Sequence, residues 1–357
     1  MRERYSFVDI AKCLAILMIV DVHLTCGSIF QVIGGNTFHV SGFFTLSGIV
    51  YGLSNKKFED ITSFVSDKIS GVMYPYFTFS VMNLVLNFFM GIIHSDDRFY
   101  ESIIKTITFH GIGTLWFFPV FFLGQVFFFL FIKSIKSKKI LFCFSILLFC
   151  FIAFVGGILE EKGMIGKRAY GINSLSQIFV YGPIIILMSS MIGACCIGVG
   201  YAVSDYIRML ARHDRKNVEF AVTLVIISLL VNIFLAPAFR SDLHCMQIGS
   251  PIIFIIATVV GNIFMLSLAI VIDYVPVLAR SMSWIGKNSI IIMTTHKEFY
   301  LAHIVSIVCD RLFMICKIQS GVLFKGIMSL IVIFLIESII IYVIKNTIFI
   351  YLYVKKQ

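Results

Sequence analysis

The sequence predicts an all-α polytopic integral membrane protein with about ten transmembrane helices, and three observations support this prediction. Apolar residues make up 59% of the 357 residues and charged residues only 13%, whereas soluble domains contain about 25% charged residues. The apolar runs are long and uniform, unlike the roughly ten-residue alternating strands of a membrane barrel. The basic residues cluster in short loops between the runs. This pattern excludes a soluble domain that carries a single anchor.

The apolar runs divide the chain into ten predicted spans, each long enough to cross most of a bilayer core of about 30 Å. Their expected positions are 8–29, 38–54, 72–93, 114–132, 140–159, 175–203, 218–236, 250–272, 284–306 and 322–350. Residues 297–321 mix charged and apolar side chains, so an interfacial or re-entrant helix is an alternative for that stretch. Because the hydrophilic stretches between spans are short, we expect residues 1–357 to form one membrane domain.

The distribution of basic residues predicts that both termini lie in the cytoplasm. Alternate loops are rich in Lys and Arg, as in residues 133–139 and 208–216, whereas the other loops are sparser and include Asp96, Asp97 and Glu160. Short basic loops remain on the cytoplasmic side of a membrane. The net charge of +10 therefore reflects membrane topology rather than a nucleic-acid partner.

The first predicted span carries two polar residues that are expensive to place in lipid. Lys12 and His23 are eleven residues apart, so on a helix they lie within about 20° of the same face and about 16 Å apart along the axis. Ionisable residues inside membranes usually face protein or a water-filled cavity. We therefore expect His23 to lie deep in a cavity and Lys12 to lie at the cytoplasmic surface.

Both residues have a functional and a structural interpretation. An imidazole has the right unperturbed pKa to act as a general base on a hydroxyl, but His23 could also hydrogen-bond a neighbouring helix structurally. Lys12 could bind donor phosphates or extend to lipid headgroups, and Asp9 is placed to pair with it across one helical turn. Asp21 is expected to face away from His23.

Further polar residues lie near the ends of later spans. The second span begins with His39 and contains Ser41, Gly42, Ser47 and Gly48, whose small side chains favour close helix packing. Alternatively, His39 lines the outer mouth of the cavity that contains His23. The other residues of this kind are Lys68, Trp116, His296 and Glu337. Trp116 could belong to an interfacial aromatic belt or stack on a sugar, and Glu337 is expected to face protein.

Four segments, taken together, resemble the membrane acyltransferase type 3 family, closest to its fucose 4-O-acetylase-like and polysaccharide O-acetyltransferase branch. The first resembles the family's basic residue, ten intervening residues and His. The others resemble its His-containing Phe-Phe-x-x-Ser-Gly segment, its Leu-Trp-Phe segment and its late Gly-x-x-Ser…His segment. In this chain they are Phe7-Val8-Asp9…Lys12…His23, Phe38-His39…Phe43-Phe44-Thr45-Leu46-Ser47-Gly48, Leu115-Trp116-Phe117-Phe118-Pro119 and Ile285-Gly286-Lys287-Asn288-Ser289…His296.

The resemblance implies a fold of about ten spans and acyl transfer from cytoplasmic acyl-CoA, usually acetyl-CoA, to acceptors that are often sugars. It implies that Lys12 meets the donor and that His23 is catalytic. One departure concerns the family's Arg-x-x-Arg before the Pro of the third span, where this chain has Lys68 and Gly71. The second basic residue is missing, which puts a two-arginine donor clamp in doubt.

The sequence therefore favours an O-acyltransferase of a bacterial cytoplasmic membrane that acts on an envelope glycan or a lipid-linked sugar. We expect His23 to be catalytic, Lys12 and Lys68 to bind acetyl-CoA, and His39, Ser47, Trp116 and His296 to lie on the acceptor side or the cavity wall. No metal and no nucleic acid are expected, and membrane lipid is the surrounding partner. The alternatives are a transporter or flippase of a lipid-linked saccharide, and a family member that has lost catalysis.

Overall fold

The computed structural model describes residues 5–24, 28–54, 60–90, 96–166, 175–239, 241–315 and 322–346. This part of the chain is helical and contains no β-strand beyond one isolated bridge between Asp242 and Gln247. The helices are α1 (Ser6–His23), α2 (Gly35–Leu53), α3 (Ile61–Lys68), α4 (Tyr74–Phe89), α5 (Asp96–Ile107), α6 (Phe117–Ser134), α7 (Lys138–Glu161), α8 (Leu175–Leu210), α9 (Arg215–Leu235), α10 (Pro251–Asp273), α11 (Pro276–Lys287), α12 (Ser289–Thr295), α13 (Leu301–Ile315) and α14 (Val322–Asn346).

Seven helical segments within the described residues are long and apolar enough to cross a membrane. They are Ile61–Phe89, Gly113–Ser134, Lys138–Glu161, Phe179–Leu210, Arg215–Ala238, Pro251–Asp273 and Leu323–Asn346. They overlap the third to eighth predicted spans and the tenth. The all-α polytopic membrane fold is thereby confirmed.

Helices α1 and α2 form the centre of the bundle, although neither is among the seven long apolar segments. α1 carries Asp9, Lys12 and Asp21, and it packs against α2, α10 and α11. α2 packs along α8 without side chains between them at Gly48 and Gly200, because a Cβ atom at either glycine would lie about 2 Å from a carbonyl oxygen of the other helix. The small residues of α2 therefore serve close packing.

The first, third and ninth spans differ from their predicted limits, and the helix of the sixth extends to Leu210 instead of ending at 203. The first ends at His23 rather than at residue 29, and residues 25–27 lie outside the described part. The third begins earlier, because α3 and α4 are joined by a π turn at Ile69–Met73. Lys68 is therefore the last residue of a helix and not part of a loop. Pro75, at the start of α4, has no N–H to donate, and a wider helical turn before it accommodates the missing hydrogen bond.

The ninth predicted span, 284–306, is not one helix. It is divided among α11, α12 and α13, with breaks at Asn288 and after Thr295. Asn288 leaves the helical region of backbone angles, and its side-chain amide donates to the carbonyl of Trp284 at 2.7 Å. Tyr300 has a φ of 60°, a left-handed conformation that ends one helix before the next begins. The segment between the breaks carries His296.

Candidate active site

Four histidines from separate parts of the chain lie together at the end of the bundle where α1 ends and α2 begins. His23 is the last residue of α1, and its ring centroid lies 5.3 Å from that of His296 with 34° between the planes. His39, at the start of α2, and His244, in the connection between α9 and α10, are close enough to interact electrostatically with His23. We call His23, His39, His244 and His296 the histidine cluster.

The turn after α1 is organised by Asp21, whose role the sequence left open. Its carboxylate accepts hydrogen bonds from the backbone N–H of Ile29 at 3.0 Å, the N–H of Phe30 at 2.9 Å and the hydroxyl of Ser28. These bonds satisfy the first amides of the 3-10 turn Phe30–Ile33 that leads into α2. The Asp21 carboxylate therefore binds the turn before α2 and does not hydrogen-bond His23. This agrees with the prediction that Asp21 faces away from His23.

Two histidines of the cluster have their tautomers set by backbone carbonyls. The Nδ1 of His39 donates to Gly35 O at 2.7 Å, and the Nδ1 of His296 donates to Ile292 O at 2.7 Å. A carbonyl oxygen can only accept, so each Nδ1 carries the proton and each neutral ring leaves Nε2 as an acceptor. The Nε2 of His296 is fully buried and has no hydrogen-bond partner among the described residues, which costs roughly 1–3 kcal/mol.

Trp116 lies beside the cluster, stacked on His244. Their ring centroids are 5.1 Å apart and the planes differ by 17°. A small cavity between them and α8, lined by His110, Val120 and Ser189 among others, has room for about one water molecule. Trp116 therefore packs against a cluster residue.

The loop that carries His244 is fixed by α7 and α8. The carboxylate of Glu160 accepts the N–H groups of Ile248 and Gly249 at 2.7 and 2.8 Å, and the hydroxyl of Ser189 donates to Leu243 O at 2.9 Å. Burial lowers the pKa of His244 from its ordinary value of 6.5 to about 4. The imidazole of His244 is therefore neutral at physiological pH.

Glu298 is a site residue that the sequence analysis missed. Its side chain is buried, and its Oε1 accepts the N–H of Thr114 at 2.6 Å and the Thr114 hydroxyl at 3.0 Å. Its backbone carbonyl accepts from the side-chain amide of Asn83 at 2.7 Å. These bonds tie the segment after α12, which carries His296 and Lys297, to α4 and to the turn before α6. The sequence feature that could have identified Glu298 is its position as an acidic residue within the apolar predicted span 284–306.

Glu337 faces protein, as its position in an apolar helix predicted. Its carboxyl oxygens lie 2.8 and 2.9 Å from the hydroxyl of Thr295, the residue before His296. α14, which carries Glu337, also packs against α1. The buried acid therefore fastens α12 and the cluster segment to α14.

Lys12 lies within α1, about 16 Å along the axis from His23 and towards the start of the helix. Its ammonium group is 3.5 Å from the carboxylate of Asp9, which confirms the predicted pair across one turn. α11 approaches α1 here without a side chain between them, because a Cβ atom at Gly286 would lie 1.7 Å from Asp9 O. The neighbouring Lys287 is exposed. Ile16 and Ile19 lie between Lys12 and His23 on α1, and both side chains are buried by the rest of the protein.

The remaining predicted residues lie away from the histidine cluster. Lys68 contacts Asp67 at 3.2 Å and lies over the ring of Phe64 at 5.2 Å. Ser47 is half-buried on α2, eight residues beyond His39, which is about 12 Å along the helix. No group of three or more His, Cys, Asp or Glu side chains in the described ranges is arranged to hold a metal ion.

Residues 5–344 match a family model described as an acyltransferase domain, one of the type 3 class. The matched range includes every residue that the sequence singled out for the site, from Lys12 to His296. No curated protein and no solved structure matches the chain.

Proposed function

The chain belongs to the membrane acyltransferase type 3 family, and on that premise we propose that it transfers an acetyl or similar acyl group from acyl-CoA to a hydroxyl of a cell-envelope sugar. The observation that carries the proposal is the position of His23. Its imidazole lies against His296 inside the protein, and Lys12 lies about 16 Å away along the same helix. In this proposal the base, His23, and the donor-binding cation, Lys12, lie at different positions along the same helix.

In the proposed reaction, an unprotonated ring nitrogen of His23 takes the proton of the acceptor hydroxyl while the hydroxyl oxygen attacks the thioester carbonyl. A carbon–oxygen bond forms and a tetrahedral oxyanion results. When the oxyanion collapses, the carbon–sulfur bond breaks and the CoA thiolate leaves. The thiolate takes the proton back from His23, so the enzyme returns to its starting state. A covalent acyl-His23 intermediate is the alternative sequence of steps.

The donor side of the proposal uses Lys12, with Lys68 and Lys287 as further cations. Ammonium groups bind phosphates through charge-assisted hydrogen bonds, and Lys12 is 31% exposed at its side chain. The donor arm would then extend along α1 towards His23. Because Ile16 and Ile19 are covered, donor binding would have to displace the side chains that cover this stripe.

The acceptor side of the proposal uses Trp116 and His244. Trp116 stacks on His244, a member of the histidine cluster, and the ring face that Trp116 turns away from His244 would suit the C–H face of a sugar ring. Lys297 is exposed and close enough to interact electrostatically with His23 and His296. Its ammonium group is placed to attract negative charge that develops on the oxyanion.

The test is acyl transfer by the purified protein in lipid nanodiscs, supplied with radiolabelled acetyl-CoA and a panel of envelope glycans and lipid-linked sugars. We expect labelled glycan, and a loss of at least roughly 10³-fold in His23→Ala. His303→Ala is the matched control, because His303 is exposed on α13.

Two results would contradict the proposal. Transfer that survives in His23→Ala would remove its catalytic role. Saccharide movement across a proteoliposome membrane, without acyl transfer from acetyl-, propionyl- or succinyl-CoA, would instead identify a transporter.

A further inference from the structure

We propose that His296 is a positioning residue for His23, which deepens the proposed function and rests on it. In this arrangement the Nε2 of His296 accepts a hydrogen bond from one N–H of His23. The other His23 nitrogen is then unprotonated and free to take the proton of the acceptor hydroxyl. The sequence and the family match assign no such role to His296.

The hydrogen bonding of His296 leaves one of its ring nitrogens as an acceptor without a partner among the described residues. The side chain is fully buried, its Nδ1 proton is committed to Ile292 O, and its Nε2 is an acceptor that no described residue satisfies. Buried acceptors are nearly always paired. An acceptor left unpaired beside a reacting group is therefore expected to gain its partner in the working state of the enzyme.

The distance between the rings of His23 and His296 suits a direct hydrogen bond. Two imidazoles joined edge to edge by an N–H···N bond of about 2.9 Å have centroids roughly 5 Å apart. The centroids of His23 and His296 are 5.3 Å apart. The bond would form when the His23 ring turns one N–H towards the Nε2 of His296.

The neighbouring carboxylates already have hydrogen-bond partners other than His23. In serine hydrolases a carboxylate orients the catalytic imidazole. Here Asp21 holds the turn before α2, Glu298 holds Thr114, Glu337 contacts Thr295 and Asp242 accepts the N–H of His244. Of these four, none is bonded to His23. The place of the orienting group is taken by a second imidazole.

His296 is held in place by the residues on either side of it in the chain. Thr295 on one side is bonded to Glu337, and Glu298 on the other side is bonded to Thr114 and Asn83. A residue that fixes another side chain must itself be fixed. His296 keeps its own proton on Nδ1 throughout the reaction, so the proton balance of the transfer step is unchanged.

The test compares two amide variants that separate the two ring nitrogens of His296. The amide of Asn lies near the position of Nδ1, whereas the longer Gln carries its amide to the position of Nε2. His296→Asn should therefore keep the bond to Ile292 O and lose the acceptor, lowering kcat by roughly 10²-fold. His296→Gln should restore the acceptor and remain within roughly tenfold of the natural protein. The KM for acetyl-CoA should change less than threefold in both, since the proposed donor contact, Lys12, lies nearer the start of α1.

A second measurement reads the state of His23 without turnover. Diethyl pyrocarbonate modifies unprotonated imidazole, and mass spectrometry gives the rate at each histidine. We expect the rate at His23 to fall severalfold in His296→Asn and to recover in His296→Gln, while the rate at exposed His303 is unchanged. If both amide variants lost activity because the fold was destabilised, the rates of histidine modification would rise in both.

The outcomes separate this inference from the proposed function. Equal kcat and equal His23 modification in the natural protein and in His296→Asn would overturn the positioning role alone. A natural protein that transfers no acyl group, or a fully active His23→Ala, would overturn the proposed function and the positioning role with it.

Discussion

At the scale of single residues, the region around the histidine cluster is held by carboxylates that bind backbone amides. Asp21 binds two N–H groups, Glu160 binds two, and Glu298 binds one together with a hydroxyl. A buried carboxylate is tolerated in such surroundings only when its oxygens accept hydrogen bonds. Each of these acids therefore positions a loop.

Glu298 provides a test of this interpretation. Glu298→Ala leaves the buried N–H of Thr114 unsatisfied, and we expect it to destabilise the folded protein by roughly 1–3 kcal/mol. Glu298→Gln keeps an amide oxygen for that N–H and should destabilise less. Thermal unfolding in detergent measures both. Identical melting temperatures for the two variants would contradict the assignment.

His244 provides a test through pH. Its pKa is lowered to about 4 by burial, whereas the unfolded chain has an ordinary value near 6.5. Between these values the unfolded chain binds a proton that the folded chain does not, so stability falls as the pH drops from about 6.5 to about 4. We expect His244→Gln to lose less stability across this window. Parallel melting curves, with the same pH dependence in both proteins, would count against this account.

At the scale of elements, the site depends on helices that approach closely through glycine. α1 meets α11 at Gly286, and α2 meets α8 at Gly48. The contact at Gly286 fixes the axial position of α1 relative to α11. It thereby places His23 beside the segment that carries His296. The same glycines belong to the second and fourth motifs of the sequence, so those motifs have a packing role besides any chemical one.

Gly286→Ala tests the contact between α1 and α11. The new Cβ atom would meet the backbone of α1 and not a movable side chain. Overpacking of this kind costs about 1–3 kcal/mol, so we expect a lower melting temperature and reduced transfer. Gly71→Ala is the matched control, because nothing lies within 4 Å of a Cβ atom there. Equal stability of the two variants would show that the helices separate at no cost.

At the scale of the whole molecule, Lys12 and His23 on α1 divide the proposed reaction into a donor half and a chemical half. Seven long apolar helical segments contribute to a bundle in which α1 and α2 lie at the centre. This arrangement keeps the polar residues of α1 away from lipid, where ionisable groups are costly. In the proposed reaction, the donor and the acceptor would meet within this bundle.

Lys12→Met and His23→Ala test this division. Lys12→Met removes the proposed phosphate contact, and we expect the KM for acetyl-CoA to rise roughly tenfold while kcat changes little. His23→Ala should lower kcat and leave donor binding intact. Steady-state kinetics, together with thermal stabilisation by the non-reactive donor analogue desulfo-CoA, separate the two effects. A fall in kcat alone in Lys12→Met would place Lys12 outside the donor site.

Local pattern predicted several individual features of the candidate site. The spacing of Lys12 and His23 predicted one helix face, the i,i+3 relation predicted the pair of Asp9 with Lys12, and the apolar surroundings of Glu337 predicted that it faces protein. The prediction of the ninth span as one helix was wrong. Hydropathy does not reveal the helix break at Asn288 or the left-handed backbone conformation of Tyr300. Glu298 was missed because its partners Thr114 and Asn83 are distant in the chain.

The sequence by itself determined the membrane class, the helical fold and the family, because hydropathy, span length and motif order are properties of local segments. Only the tertiary structure decided which polar residues meet. His23, His39, His244 and His296 come from four separate parts of the chain, and their approach depends on glycine contacts, turns and buried carboxylates. These long-range contacts are selected by the packing of the whole bundle, and no window of the sequence contains them.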